Sequence, residues 1–188
     1  MKNNKLYLIF ACISIIIIFS SSTLANDDIT IDNTSQINLK NSDSSISQTY
    51  VVNGSAYNQM ENPTIQNTIN IAKNGDIIEI TGTEYVHCHF VVNKNLTIKS
   101  TVGTKMTPCP SNTEGSNGIG IFYIAPEASG TILTGFTLIN DEFKSGSVDP
   151  YCIYVNGASN VKIENCTVEK TTYGPGIFVK DSTNLLIS

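Results

Sequence analysis

The sequence contains no arginine and no tryptophan. All 11 basic side chains are lysines, 16 residues are acidic, and the formal net charge is −5. Proteins that bind nucleic acid usually present a basic patch or stripe of lysine and arginine on one face. We therefore expect no nucleic-acid partner.

Long apolar runs are also absent, except for one at the N-terminus. MKNNK precedes an apolar run of 14 residues from Leu6 to Phe19, and SSSTLA follows it. A basic start, a short apolar core and small residues at Thr23 and Ala25 predict a secretory signal peptide over residues 1–25. An uncleaved anchor is the less favoured alternative, because a spanning helix needs about 20 residues. A lipid-modified Cys12 is disfavoured because most of the apolar run follows it. We expect an exported mature chain with no membrane span.

Cysteine is sparse, and four cysteines remain once the signal peptide is removed. Exported proteins form disulfides, and four cysteines allow three sets of pairs. We favour Cys88–Cys109 and Cys152–Cys166. Free thiols that pack as small apolar side chains remain the alternative, since Cys166 falls at a position expected to face inward.

Four Asn-X-Ser/Thr triplets are acceptors for N-linked glycans in a host that glycosylates exported proteins. Their asparagines are Asn33, Asn53, Asn95 and Asn165. The chain is so rich in asparagine that chance alone is expected to produce such triplets, so their use stays open.

The mature chain begins with a polar stretch dominated by Asn, Ser, Asp and Thr. We interpret residues 26–49 as a disordered spacer and residues 50–188 as one domain. The domain opens with a strand-like segment, TYVVNGSAYN. The segment PTIQNTINIAKNGD, residues 63–76, follows and predicts a helix.

The helical prediction depends on one apolar stripe. Ile65, Ile69 and Ala72 share a face, Pro63 suits a first turn, and Asn74-Gly75 ends the pattern. This is the one convincing helix in the mature sequence.

Beyond that helix the apolar residues alternate and recur at a fixed interval. Ile153 and Val155 recur 24 residues later as Ile177 and Val179. The segment NVKI at 160–163 returns as NLLI at 184–187, and NLTI at 95–98 is an earlier copy. A looser copy consists of Phe122, Ile124, Ile132, Phe136 and Leu138. The polar stretch 141–150, DEFKSGSVDP, interrupts the repeat, and we interpret it as a protruding loop.

A period of this length, made of short alternating strands and Asn/Gly/Ser turns, is typical of a solenoid. Each strand has too few inward apolar residues to form a core alone, whereas copies stacked about 4.8 Å apart bury them together. The pattern favours a parallel β-helix over an antiparallel sandwich, which would show frequent hairpin turns.

The order PTIQNTINIAKNGDIIEITGTEY, followed by FVVNKNLTIKS, resembles the start of right-handed parallel β-helix proteins of the pectate-lyase-like superfamily. The resemblance covers about residues 63–188. It implies an all-β fold, a right-handed parallel β-helix solenoid with a short N-terminal amphipathic capping helix. Together with the composition and the signal peptide, the sequence also resembles adhesin-like surface proteins of methanogenic archaea.

The family resemblance further implies more coils, repeated sandwich domains and an envelope attachment. The repeat stops inside a coil at Ser188, so we expect further domains of the same longer protein.

Enzymes of the resembled superfamily act on acidic polysaccharides and combine clustered carboxylates with a basic residue, usually arginine. Here arginine is absent, and the acidic residues of the repeat, Glu164, Glu169 and Asp181, are scattered. We therefore predict no catalytic residues, no cofactor and no metal site.

Three local features of the sequence are candidate binding sites. His87-Cys88-His89 would place two imidazoles on one side of a strand as metal ligands, but we favour an exposed strand without function. Calcium binding by the loop acids Asp141, Glu142 and Asp149 is likewise disfavoured against a solvated loop. A third feature is a set of tyrosines that offer stacking surfaces for sugar rings, although ordinary surface tyrosines are favoured: Tyr151, Tyr154 and Tyr173.

We predict a secreted or cell-surface, adhesin-like protein without catalysis, whose partners are surface glycans or cell-envelope polysaccharide. The alternative is the N-terminal part of a polysaccharide-active lyase or hydrolase whose active site lies beyond this chain. A purely architectural envelope component is a third hypothesis.

Overall fold

The computed structural model describes residues 46–54, 56–109, 120–140, 151–171 and 175–188. The predicted signal peptide, the loop at 141–150 with its acids, Tyr173 and the triplet at Asn33 lie outside these ranges. The first described strand begins at Thr49, one residue before the predicted start of the domain.

The described ranges are rich in β-structure, with three parallel sheets and one α-helix. Sheet 1 contains six strands in the order β1 (Thr49–Val52), β2 (Ile77–Ile80), β5 (Thr97–Ser100), β8 (Ile132–Thr134), β11 (Lys162–Glu164) and β14 (Leu186–Ile187). Sheet 2 contains β3 (Glu84–Cys88), β6 (Lys105–Pro108), β9 (Thr137–Ile139) and β12 (Thr167–Glu169). Sheet 3 contains β4 (Phe90–Val92), β7 (Phe122–Ile124), β10 (Ile153–Asn156) and β13 (Ile177–Lys180).

From β2 onward, consecutive strands enter sheets 1, 2 and 3 in strict rotation. Because of this rotation, each strand pairs with the strand three places further along the chain, and the paired strands are parallel. The structure thus confirms the parallel, β-rich architecture predicted from the repeat.

The predicted 24-residue register is confirmed. Ile153 pairs with Ile177 across β10 and β13, and Ile163 pairs with Ile187 across β11 and β14. The Leu186 amide donates to the Val161 carbonyl at 3.0 Å. The looser copy also pairs as expected, with one correction: Leu133 is fully buried, whereas Ile132 is only half-buried beside Thr97.

One core cluster gathers the inward side chains of all three sheets. At its centre the rings of Phe90 and Phe136 flank Phe122, with centroids 5.3 Å and 5.6 Å away. All three phenylalanines are 1% exposed or less. Aromatic side chains of this size dominate the burial of apolar surface in a small core.

The helix α1 spans Thr64–Ile71, shorter than predicted, because Ala72 already has an extended backbone. Ile65 and Ile69 are buried as expected, and Pro63 occupies the N-cap position. Pro63 makes no capping bond through its side chain, so Gln59 supplies one: its Oε1 accepts from the Ile65 amide at 3.1 Å. Its amide group also donates to the Ala56 carbonyl at 2.5 Å.

Lys94 closes the other end of α1. Its ammonium donates to the carbonyls of Ile69 at 3.0 Å and Asn70 at 2.7 Å. Carbonyls in the last turn of a helix lack partners within the helix, and the helix dipole favours a cation there. Lys94 follows β4 closely in the chain, so its two hydrogen bonds connect α1 to the end of β4.

We expect Lys94→Met to lower the free energy of unfolding by about 1 kcal/mol, because it removes both bonds while keeping most of the apolar stem. Urea denaturation followed by circular dichroism measures this. Lys180→Met, at an exposed position on β13, is the matched control and should change stability by less than about 0.5 kcal/mol. Equal effects of the two variants would contradict the capping role.

Left-handed backbone conformations mark the corners between strands. Asn160 and Asn184 have φ values of 57° and 55°, and Asn165 has 52°. Asparagine tolerates this region better than most residues. The Asn184 side chain also donates to the Asn160 side chain at 3.3 Å, so equivalent corners contact each other across one repeat.

Candidate binding surface

Aromatic side chains gather on the outer side of sheet 3. Tyr123, Tyr154 and Phe178 occupy one register position on β7, β10 and β13. They alternate with the inward residues of these strands, so their rings stand on the face opposite the core. Tyr151, which precedes β10, adds a fourth ring. We call these four residues the outer aromatic cluster.

The four rings form a continuous series. The centroids of Tyr123 and Tyr154 are 5.4 Å apart, and those of Tyr154 and Phe178 are 5.2 Å apart, with tilts of 68° and 53°. Tyr151 stacks on Phe178 with an interplanar angle of 12° at 4.6 Å and meets Tyr154 edge-on at 5.6 Å. Edge-to-face and offset contacts are the preferred arrangements of aromatic pairs. The rings therefore support one another and hold a defined surface.

Each ring of the cluster is half-buried, so part of it remains accessible to solvent. Tyr123 has a fixed hydroxyl, which accepts from the Asn156 side-chain amide at 2.9 Å. The cluster thus combines apolar ring surface with oriented polar groups. Small-molecule sites commonly show the same combination, in which apolar surface supplies affinity and a few polar groups supply orientation.

Two of these residues, Tyr151 and Tyr154, were singled out from the sequence, and the structure brings them together. Tyr123 and Phe178 were missed. The sequence contains a signal that predicts Phe178, because Phe178 follows Tyr154 by 24 residues, the same interval as the apolar repeat.

The side chains of His87, near the end of β3, and His89, just after β3, do not point to a common site. The His87 Nδ1 lies 3.2 Å from the Asn58 side-chain oxygen, whereas the His89 Nδ1 lies 3.0 Å from the Gly120 carbonyl oxygen. His87 has a φ of 54°, and the pairing of β3 with β6 shifts register at this point. Simple alternation therefore fails here. The favoured prediction of an exposed strand is also wrong, because Cys88 is buried in the core and both histidines are half-buried. Across the described ranges, no group of three or more His, Cys, Asp or Glu residues is arranged to hold a metal ion.

The four cysteines of the described ranges are free thiols, so the favoured prediction of two disulfides is wrong and the alternative of free thiols holds. Cys88 is fully buried, and the Cys109 Sγ instead donates to the His87 carbonyl at 3.0 Å. The Cys166 Sγ donates to the Glu164 carbonyl at 3.4 Å. Cys152 is buried beside β10.

Burial also suppresses the reactivity of these thiols. It raises the pKa of Cys152 to about 12 and that of Cys166 above its usual value. For Cys88, burial and then the neighbouring Cys109 raise the pKa well above the ordinary range. Since the thiolate is the nucleophile, these groups are poorly suited to nucleophilic chemistry at neutral pH.

The three acidic residues of the repeat lie at the ends of three different strands. Glu164 is half-buried at the end of β11, Glu169 is exposed at the end of β12, and Asp181 is exposed after β13. Acid–base catalysis needs two groups held near the same reacting bond.

Within the described part of the chain, no helix has the length and apolarity to cross a membrane.

Comparison with known proteins adds no relative: no family model, curated protein or solved structure matches the chain.

Proposed function

We propose that the three parallel sheets are the faces of one right-handed parallel β-helix. We further propose that the protein is a secreted or cell-surface, adhesin-like scaffold without catalytic activity. In this proposal the outer aromatic cluster binds surface glycans or cell-envelope polysaccharide.

Two features support the β-helix. Consecutive strands visit the three sheets in rotation, and the inward residues of all three sheets share one core cluster. Parallel strands of one sheet joined by a crossover are almost always connected in a right-handed sense. A rotation of strands around a common interior, with that handedness, describes a right-handed β-helix.

The observation that carries the binding proposal is the shared register of Tyr123, Tyr154 and Phe178 on the outer side of sheet 3. Parallel strands lie about 4.8 Å apart, so the cluster repeats its ring surface along the direction in which the strands stack. An extended polysaccharide presents apolar ring faces and hydroxyls at regular intervals. Such a ligand matches a repeated series of aromatic faces with oriented polar groups beside them.

Tyr154 contacts every other ring of the cluster, so Tyr154→Ala is the most informative change. We expect the variant to lose at least tenfold in affinity, about 1.4 kcal/mol, for the glycan that the wild-type chain selects on an array. The affinity is then measured by calorimetry. Tyr57→Ala is the matched control, because Tyr57 is 50% exposed and lies before α1, outside the cluster.

Tyr154→Phe separates ring stacking from hydroxyl bonding, and circular dichroism verifies that each variant is folded. An array without binding, or equal losses for Tyr154→Ala and Tyr57→Ala, would overturn the binding proposal. In parallel, sustained release of new chain ends from acidic polysaccharide by the wild-type protein would favour the polysaccharide-active enzyme instead.

A further inference from the structure

Four Asn-Gly pairs occur in the sequence, and the proposed function leaves their chemistry unused. Three of them lie in the described ranges: Asn53-Gly54, Asn74-Gly75 and Asn156-Gly157. In such a pair the backbone nitrogen of the glycine can attack the side-chain carbonyl carbon of the asparagine, because glycine has no side chain in the way. The attack expels ammonia, so each pair is a candidate deamidation site. Hydrogen bonds distinguish the three pairs.

The first protected pair is Asn74-Gly75, at the corner before β2. The Gly75 amide donates to the Asn95 carbonyl at 2.7 Å, so the nitrogen that would attack is already bound. Asn74 Oδ1 accepts from the Asn95 amide at 3.0 Å, which holds the side chain against the next copy of the repeat. Both bonds must break before the Gly75 nitrogen reaches the side-chain carbon, and each lost bond raises the barrier to attack.

Asn156-Gly157, at the end of β10, is protected in the same way. The Gly157 amide donates to the Lys180 carbonyl at 2.9 Å. Asn156 Nδ2 donates to the Tyr123 hydroxyl oxygen at 2.9 Å. The nitrogen that would attack and the nitrogen that would leave as ammonia are therefore both held by hydrogen bonds.

Asn53-Gly54, at the corner after β1, has the opposite arrangement. Among the described residues, no acceptor binds the Gly54 amide. Both residues of the pair are exposed, so water and hydroxide reach them. The attacking nitrogen can therefore lose its proton without first breaking a hydrogen bond.

A buried hydroxyl favours the reaction at this pair. The Tyr85 side chain is 0% exposed, and its hydroxyl donates to the Asn53 carbonyl at 2.7 Å. That carbonyl belongs to the same peptide group as the Gly54 nitrogen. When the nitrogen loses its proton, the negative charge is shared with the carbonyl oxygen, and hydrogen bonds to charged groups are stronger than those to neutral groups. The Tyr85 hydroxyl thus stabilises the attacking form of the nitrogen.

The surroundings of Tyr85 keep this donor protonated in mildly alkaline solution. Burial and then the neighbouring Cys88 raise the pKa of Tyr85, and a hydrogen bond from the Gly82 backbone only partly offsets them. The hydroxyl therefore still donates at a pH where the loss of the amide proton becomes faster.

We infer that Asn53 is the preferred deamidation site among these pairs and that the Tyr85 hydroxyl promotes the reaction. The Gly54 nitrogen, having lost its proton to base, forms a bond to Asn53 Cγ. The bond from Cγ to Nδ2 breaks, and Nδ2 takes up a proton and leaves as ammonia. Water then opens the cyclic imide at either carbonyl and yields aspartate or isoaspartate. One water is consumed and one ammonia is released, without oxidation or reduction.

The isoaspartate product would alter the corner that follows β1, because its main chain runs through the former side-chain carbon and gains one backbone atom. This corner has little spare room, since a Cβ added to Gly54 would lie 3.0 Å from Gly82 Cα. The strand β1 belongs to sheet 1, whereas the outer aromatic cluster belongs to sheet 3. The modification is therefore separate from the proposed binding surface.

The test incubates the folded chain at mildly alkaline pH and withdraws samples over several weeks. Peptide mapping by mass spectrometry, with chromatographic separation of aspartate and isoaspartate peptides, gives the rate at each pair. We expect Asn53 to react at least about tenfold faster than Asn74 or Asn156, the factor that corresponds to one hydrogen bond that need not break. Tyr85→Phe should slow the reaction at Asn53 by about tenfold and leave the rate at Asn74 unchanged.

The same chain unfolded in denaturant is the control. There the three pairs should react at similar rates, and Tyr85→Phe should have no effect. Equal rates at Asn53 and Asn74 in the folded chain would overturn the inference, as would an order of rates that persists after unfolding. A Tyr85→Phe variant that is folded by circular dichroism and reacts at the wild-type rate or faster would overturn the role of the hydroxyl. None of these outcomes bears on the glycan-binding proposal, which depends on sheet 3.

Discussion

Phe122→Ala is expected to lower the free energy of unfolding by about 3–5 kcal/mol, the range for truncating a fully buried aromatic side chain. Phe122 is 0% exposed and lies between the rings of Phe90 and Phe136. Its backbone is held between β4 and β10, which limits how far the surroundings can collapse into the space that the ring leaves. A cavity that does not collapse adds its own penalty to the lost transfer free energy.

Chemical denaturation followed by far-ultraviolet circular dichroism measures this effect. The neighbouring Tyr123→Ala is the matched control, because it removes a ring from the same strand on the opposite, outer face. Its expected loss is about 1 kcal/mol, from the contact with Tyr154. Phe122→Leu should fall between wild type and Phe122→Ala. A Phe122→Ala variant no less stable than Tyr123→Ala would contradict the placement of Phe122 at the centre of the core.

The strand register was predictable because two independent patterns coincide. The alternation of apolar residues identifies the strands, and the 24-residue interval aligns β10 with β13 and β11 with β14. A register slip by one residue would turn Ile153 or Ile163 outward. The pattern of apolar residues in the sequence is therefore sufficient to predict which residues pair in these strands.

The outer aromatic cluster was only partly predictable, because the interval varies along the chain. Tyr154 and Phe178 are 24 residues apart, but Tyr123 and Tyr154 are 31 apart, since the inserted stretch 141–150 falls between them. A fixed interval cannot align positions across an insertion. Strand pairing in three dimensions does so directly.

Local backbone geometry explains two other differences. Alternation predicted His87 and His89 on one side, but the left-handed conformation at His87 and the register shift beside it send their rings to separate partners. The second difference is the favoured disulfide Cys152–Cys166, since both of these thiols are free. Cys152 precedes a strand of sheet 3 and Cys166 a strand of sheet 2, so a short interval along the chain does not bring them together.

Gly135→Ala is expected to destabilise the fold by about 2–5 kcal/mol, through two separate effects. Gly135 has a φ of 82°, a conformation that costs an L-residue about 1–2 kcal/mol. In addition, an added Cβ would overlap the Ser100 carbonyl oxygen on the neighbouring strand. Relieving that overlap requires the strands of sheet 1 to move apart, and overpacking of this kind typically costs about 1–3 kcal/mol.

Gly103→Ala isolates the first effect. Gly103 has a similar φ of 70°, but an added Cβ would meet no atom within 4 Å. We expect that variant to lose only about 1–2 kcal/mol, so the difference between the two substitutions measures the close approach of adjacent copies at the Gly135 corner. Urea denaturation of both variants provides the comparison. Equal losses would mean that the corner has room for a side chain, and the tight stacking of β5 on β8 at this position would then be wrong.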